Sequence, residues 1–392
     1  MEGDVNTLRA DWSEPIPVRF GVGRVQELPS LCRHHGMERP LLVTDPGVAG
    51  LGILRQVLSS CAGQGIEVAV FSDIRSNPTL RHAEAGLSAY KAGRHDGLVA
   101  FGGGSAIDVA KVVGLMATGL NDPWRAEVDD AMAAVPTPTP PPPLIAVPTT
   151  AGSGAEVRST AVITDPETRQ RRVLRHPALM PAVAILDPVL TIDLPPNLTA
   201  ATGMNALTHN LEAFCAPGFD PAAEGIAAEG VRLVRANLGN AYRNGHDLMA
   251  RSMMLAAAAL GGIAFRRGLG AVQALTDPIA ALTNAHHGLA TAVLTPYVLV
   301  HNRPAVEGRI DRLAAYVGLE KGGFEGFLHC LLSLRQELGI PHTLRGLGLD
   351  EARVRPLVAA ALADPFAATN PVPLTEEGVS GIYMNALEGK LP

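Results

Sequence analysis

The run Phe101-Gly102-Gly103-Gly104-Ser105-Ala106-Ile107-Asp108-Val109-Ala110-Lys111, entered from the apolar segment Gly97-Leu98-Val99-Ala100, leaves the backbone few options. An apolar strand must end in three glycines and turn directly into a helix, which the spacing predicts to be capped by Ser105 with Asp108 three residues on. Glycines lack Cβ atoms, so backbone can approach a ligand closely. A helix N-terminus also points unpaired N–H groups and a positive dipole end at whatever lies there, which suits a phosphate or pyrophosphate. Glycine-rich turns also serve as plain connectors, so the run needs its context.

That context is a series of short apolar runs separated by helical stretches: Leu41-Leu42-Val43-Thr44-Asp45, Val68-Ala69-Val70-Phe71, Leu98-Val99-Ala100-Phe101, Leu144-Ile145-Ala146-Val147 and Val183-Ala184-Ile185-Leu186. Such alternation predicts a parallel, doubly wound sheet buried on both faces. Ligands of such sheets lie at the carboxyl ends of the strands. Those ends carry Asp45, Ser72-Asp73, Gly102 to Ser105, Pro148-Thr149-Thr150 and Asp187. Pro136 to Pro143 reads as a stiff polyproline-type spacer.

With 392 residues the chain is long enough for two cored domains. After Asp187-Pro188 the composition shifts to long Ala- and Leu-rich stretches of helical spacing, among them Ala222 to Ala241 and Leu248 to Phe265, so the second half is expected to be all-helical. The boundary is placed between residues 192 and 193. A net charge of -6 offers no attraction for nucleic acid or an anionic membrane, which leaves a small molecule as the expected partner. Cys32, Cys61, Cys215 and Cys330 follow neither a zinc nor a disulfide spacing and fit a reducing cytoplasm. No signal-peptide pattern follows Met1, and no run reaches the roughly 18 uninterrupted apolar residues of a membrane span.

In the second half, a helix opening at Pro196 carries Met204, Leu207, Leu211 and Phe214 as one apolar stripe, with Asn205, His209 and Glu212 on another face at i, i+4 and i+7. Two potential ligands one turn apart have metal-site spacing, although a lone histidine such as His209 is more often a hydrogen-bonded core or surface residue. A second helix, after Gly268-Leu269-Gly270, puts Gln273 and Asp277 four apart, and Asn284-Ala285-His286-His287-Gly288 follows within three turns.

Pro46, Asn77-Pro78, Gly102 to Lys111, Val147 to Val157, Ala201-Thr202-Gly203-Met204 and Ala285-His286-His287-Gly288 together resemble the iron-containing (group III) alcohol dehydrogenase family, from about Val18 to about Ala386. More distantly the chain is similar to glycerol dehydrogenase and dehydroquinate synthase. The resemblance implies a dehydroquinate synthase-like architecture: an α/β, doubly wound, Rossmann-like N-terminal domain over 1–192 and an all-α C-terminal domain over 193–392, with the active site in the cleft between them. It implies a homo-oligomer, commonly a dimer, acting on a small alcohol or carbonyl substrate. For the cofactor it implies that Gly102, Gly103, Gly104 and Ser105 cradle a pyrophosphate, with Asn77 near the adenosine and Thr149 and Thr150 as the second wall. Asp45 matches the aspartate on the adenosine ribose, whose charge opposes a 2′-phosphate and so favours NAD(H) over NADP(H). Arg171 stands where the family has a lysine facing the nicotinamide ribose, keeping charge and changing donor geometry. Asp108 and Lys111 are expected to be structural.

The chain departs from the family at the divalent metal, Fe2+ or Zn2+, which the resemblance assigns to one aspartate and three histidines. The matching positions are Asn205, His209, Gln273 and His287, two of them now neutral amides, which are weaker donors and bring no charge. Asp277 takes the place of a further histidine that relays protons. Maleylacetate reductases, which resemble the Gly203-Met204-Asn205-Ala206 and His209 pattern, set a precedent for reduction without an essential metal. The expectation is therefore an NAD(H)-dependent oxidoreductase without an essential metal, using His209 or His287 as proton donor and Asp277 to orient the imidazole. Alternatives are a metal-dependent alcohol dehydrogenase of weakened affinity, a non-catalytic nucleotide-binding homologue, and a cyclase or lyase using Arg266 and Arg267 to grip a phosphorylated sugar.

Overall fold

The structure is a computed structural model that describes residues 16–127, 135–168, 170–283 and 287–391. The chain divides into two compact units: described residues up to Leu194 together with Gly245–Leu255, and Pro195–Asn244 together with residues from Ala256 on.

The first unit runs β1 (Val18–Phe20), α1 (Leu28–His34), β2 (Leu41–Val43), α2 (Pro46–Ala49), α3 (Gly52–Gly63), β3 (Ala69–Phe71), α4 (Leu80–Ala92), β4 (Leu98–Gly102), α5 (Gly104–Ala117), β5 (Leu144–Pro148), β6 (Thr160–Thr164), β7 (Arg171–Arg175) and β8 (Val183–Leu186). Six strands form a parallel sheet in the order β1-β8-β5-β4-β2-β3. Alternation sends Leu41, Val43, Leu98 and Ala100 to one face and Leu42, Val99, Phe101, Ile145 and Val147 to the other. The first face packs on Ile107, Val109 and Val113 of α5 with Ala83 of α4. The second packs on Leu28 and Leu31 of α1 with Leu54 and Val57 of α3. Burial on both sides makes these strands continuous apolar runs and not polar-apolar alternations.

β6 and β7 stand apart as an antiparallel pair, with Thr164 opposite Arg171. The sequence reading finds neither: β7 is rich in arginine, and β6 offers only the three-residue run Ala161-Val162-Ile163 between threonines. The exposed edge strand β1 escapes it too: Val18, Arg19 and Phe20 are all exposed.

The second unit is helical: α6 (Pro196–Cys215), α7 (Pro221–Arg243), the later part of α8 (Leu248–Ala264), α9 (Ala271–Thr283), α10 (His287–Tyr316), α11 (Gly323–Glu337), α12 (Glu351–Val354), α13 (Leu357–Leu362) and α14 (Glu376–Glu388). A boundary at 192 needs one correction: Gly245–Leu255 belongs to the α/β unit. There the buried Arg251 donates to the carbonyl oxygens of Gly245 at 2.9 Å and Leu194 at 3.1 Å. Among the described residues, Leu248–Arg267 alone is long and apolar enough to cross a membrane. Its mean hydropathy is 1.6, and 61% of its apolar window is buried, as in a core helix. All four cysteines are free.

Candidate active site

The sheet reverses its direction of growth beside β2, because the chain steps from β2 to β3 on one side and continues β4, β5, β8 on the other. Such a switch point leaves a crevice outside the carboxyl ends of the two central strands. Val43 of β2 pairs with Ala100 of β4, so Asp45 and Gly102 stand level there. A Cβ on Gly102 would meet the Ala106 Cβ at 2.8 Å, with Asp45 Oδ2 at 3.6 Å and Thr44 Oγ1 at 3.7 Å. Asp45 uses its other oxygen to cap α2, accepting the Val48 N–H at 3.0 Å. The buried Thr44 hydroxyl has no protein partner, and no motif in the sequence marked it.

α5 begins at Gly104, with Gly103 as its N-cap in extended backbone and no side-chain cap. Ser105 therefore lies inside the first turn and does not cap the helix. With the cap a glycine, the N-terminal turn is bare backbone, open to an anion. The loop after β5 closes on this turn. Thr149 N–H donates to the Gly102 carbonyl at 3.0 Å. A Cβ on Gly103 would sit 3.4 Å from Thr150 Oγ1, and one on Gly104 only 2.7 Å from Ser153 Oγ. Asn77, before Pro78, holds a left-handed backbone with φ 56° in the loop following β3.

Asp108 and Lys111 are structural, but their partners lie across from α5. The Lys111 ammonium donates to the carbonyls of Ala155, Arg158 at 2.7 Å and Thr160 at 2.9 Å, and Asp108 accepts the Val162 N–H at 3.2 Å. Burial pushes Lys111 down to about 7 while the Asp108 and Glu156 carboxylates pull the other way. Burial likewise raises Asp108 and Glu156 and lowers Arg158. Arg171 opens β7 opposite Thr164, and it is the adjacent Arg172 that lies over the Trp124 ring, 4.3 Å from its centroid, while pairing with Glu127.

In the helical unit, Asn205 and His209 are both buried on α6. Gly261 of α8 runs so close that a Cβ there would lie 3.2 Å from the His209 Cβ, and the His209 ring meets Phe265 edge-on at 5.8 Å. A Cβ on Gly288 would overlap the Ala201 carbonyl, so the start of α10 crosses α6 one turn before Asn205. At the other end Glu212 Oε1 accepts the Val272 N–H of α9 at 2.7 Å. Helices α6, α9 and α10 thus share one neighbourhood.

The tightest polar arrangement there centres on His287. Its Nε2 is 2.8 Å from Gln273 Oε1 and its Nδ1 is 3.3 Å from Asp277 Oδ1. An imidazole carries one N–H; a ring protonated on both nitrogens donates to both oxygens. On the same three helices the Gln273 amide nitrogen, a donor, and Asn205 Oδ1, an acceptor, are buried with no protein partner. Buried polar atoms in this state await a ligand or water. Among the described residues no three or more His, Cys, Asp or Glu side chains cluster as a metal site. Asn284, Ala285 and His286 lie outside the described residues.

Two family profiles account for nearly the whole chain: iron-containing alcohol dehydrogenase over residues 15–188, and the C-terminal region of Fe-containing alcohol dehydrogenases over residues 199–387. The chain belongs to the iron-containing alcohol dehydrogenase family. It is 37% identical over 381 residues to 4-hydroxybutyrate dehydrogenase of Cupriavidus necator, covering 95% of this chain and 97% of that one. A solved 1,3-propanediol oxidoreductase superposes with a TM-score of 0.91 at 33% identity, over 96% of this chain and 99% of the other. Sulfoacetaldehyde reductase from Bifidobacterium kashiwanohense, solved in complex with NAD+, gives 0.85 at 27% identity over 96% and 98%. As an oxidoreductase of the iron-containing alcohol dehydrogenase family, the chain has an NAD-type fold in its first unit.

Within that family frame, Arg266 and Arg267 are not a phosphosugar grip. Arg267 is buried and donates to the Ala216, Gly218 and Asp220 carbonyls and to Glu224, closing the end of α6, while Arg266 pairs with Asp220. Arg266 is exposed, whereas the Arg267 side chain is buried. Glu212, one turn past His209, turns out to be a contact of α9, a role its i+7 spacing from Asn205 did not reveal.

Proposed function

We propose that this chain is an NAD(H)-dependent oxidoreductase that interconverts a small alcohol and its aldehyde or ketone without a resident metal. The carrying observation is His287 held between Gln273 and Asp277. A divalent cation at Asn205, His209, Gln273 and His287 would find two amides and no carboxylate, and at His287 it would have to displace Gln273 or Asp277. That donor set does not fit Fe2+ or Zn2+.

The dinucleotide does fit. Gly102, Gly103, Gly104 and Ser105 would hold its pyrophosphate, Thr149 and Thr150 its second side, Asn77 and Asp45 its adenosine half, and Arg171 its nicotinamide ribose. Cβ atoms at Gly102 and Gly104 would fill the cradle. When bound, the nicotinamide supplies or accepts the hydride. Asp45 disfavours a 2′-phosphate, so NAD(H) is preferred.

On the protein side, Asp277 fixes the His287 ring through Nδ1, as a carboxylate orients a catalytic imidazole. His287 Nε2 holds the exchanged proton, which passes to the substrate oxygen when that oxygen takes the place of Gln273 Oε1, and the Gln273 amide N–H, which has no protein partner, donates to the same oxygen. Asn205 Oδ1 can accept the substrate hydroxyl, so the pair recognises a group that both donates and accepts. His209, packed edge-on against Phe265, walls the site and is the second proton carrier.

Elemental analysis of protein purified without chelator tests the reading, together with turnover of short alcohols and aldehydes before and after EDTA. Expected are far less than one metal per chain and rates unchanged within twofold. One Fe or Zn per chain with activity lost on chelation overturns it.

A further inference from the structure

Glu212 is a buried carboxyl with no part in the chemistry above, and its surroundings are specific. On α6 it follows His209 by three residues and Asn205 by seven. Its Oε1 accepts the Val272 N–H at 2.7 Å, and the backbone amides of Gly270 and Gln273 also act on the carboxyl against the burial that raises it to about 8. The approach needs Gly270, where a Cβ would come within 3.1 Å of that oxygen. The neighbouring Ala271 N–H goes to Asn370 Oδ1 at 3.0 Å, and Asn370 is locked to Asn302 by reciprocal amide bonds of 2.9 and 2.8 Å. The first turn of α9 is therefore held by two buried side chains, of which only Glu212 comes from the helix that carries Asn205 and His209.

Resting on the function proposed above, we infer that Glu212 is a positioning residue that sets the register of α9 against α6 and so holds Gln273 and Asp277 in place around His287. Val272 precedes Gln273 directly, so any retreat of the first turn moves the amide that reaches His287. A carboxyl group suits the task because its oxygen accepts backbone N–H groups that the first turn of a helix leaves without intrahelical partners. Asn205 and His209 share its helix, so one contact registers all the polar groups of the cluster.

The test is Glu212→Ala and Glu212→Gln in the full chain, read by steady-state kinetics at saturating NADH, NADH affinity by fluorescence, thermal unfolding, and ring 15N spectra of histidine-labelled protein. His287 is assigned in those spectra with His287→Asn. Expected for Glu212→Ala are a kcat at least tenfold lower, a shifted His287 Nε2 resonance, and an NADH Kd within twofold of the parent. That affinity is set by residues of the α/β unit. Glu212→Gln keeps one oxygen for Val272 and falls between the parent and Glu212→Ala; should Glu212→Ala not fold, it decides alone. A His287 resonance unmoved in the folded variants overturns the inference, even if unfolding temperatures drop. If the parent turns over no alcohol or aldehyde, the proposed function fails while the ring spectra still decide the role of Glu212.

Discussion

Burial acts on the cysteines one residue at a time. It pushes the Cys32 thiol to about 12, with Cys61 and Asp96 adding to the rise, and Cys61 to about 11 and Cys215 to about 12. The attacking species is the thiolate, which at pH 8 amounts to about one part in a thousand or less of such groups. Cys330 is the half-exposed member of the four. Native protein treated with a disulfide reagent at pH 8 is expected to release one equivalent of chromophore quickly and the other three only after denaturation. A fast second equivalent would show that one of the buried sites opens.

Among the elements, the turn from β4 into α5 and the loop after β5 work as a pair. Lys111 gathers the carbonyls of Ala155, Arg158 and Thr160, and that anchorage holds Ser153 against Gly104. Gly104→Ala places a methyl 2.7 Å from Ser153 Oγ and 3.1 Å from its Cβ, so the loop has to retreat from the helix start. The expected result is a tenfold or greater rise in the NADH Kd with a loss of stability of about 1 kcal/mol, the size of an ordinary single substitution. Titration of NADH fluorescence beside a urea melt reads both, and an unchanged Kd would remove Gly104 from the cradle.

At the scale of the molecule, cofactor binding couples to stability. Ligand at a hundred times its Kd adds about 2.7 kcal/mol to the folded state. NADH is therefore expected to raise the unfolding temperature by several degrees while NADPH at equal concentration does much less, and Asp45→Ser is expected to narrow the gap. Scanning fluorimetry measures this, and equal shifts from both nucleotides in the parent would remove Asp45 as the discriminating residue.

Much of this architecture is legible in the chain. The five apolar runs are strands of the central sheet, four of them because β-strands buried on both faces must be continuously hydrophobic, while the fifth, β3, is a half-exposed edge with Val70 outward. The glycines of the β4 to α5 turn announce a close approach because no other residue lacks a Cβ. β1 and the β6–β7 pair escape the sequence reading: β1 is a three-residue exposed edge, β7 is rich in arginine, and the short apolar centre of β6 is recognisable as a strand only through its pairing with β7. Local sequence likewise names Asn205, His209, Gln273, Asp277 and His287 and spaces them along three helices. It is silent on the bonds of His287 to Gln273 and Asp277, on Glu212 reaching Val272, and on Arg267 closing α6, because those depend on how helices distant in sequence pack together, and periodicity within one helix carries no information about its neighbour.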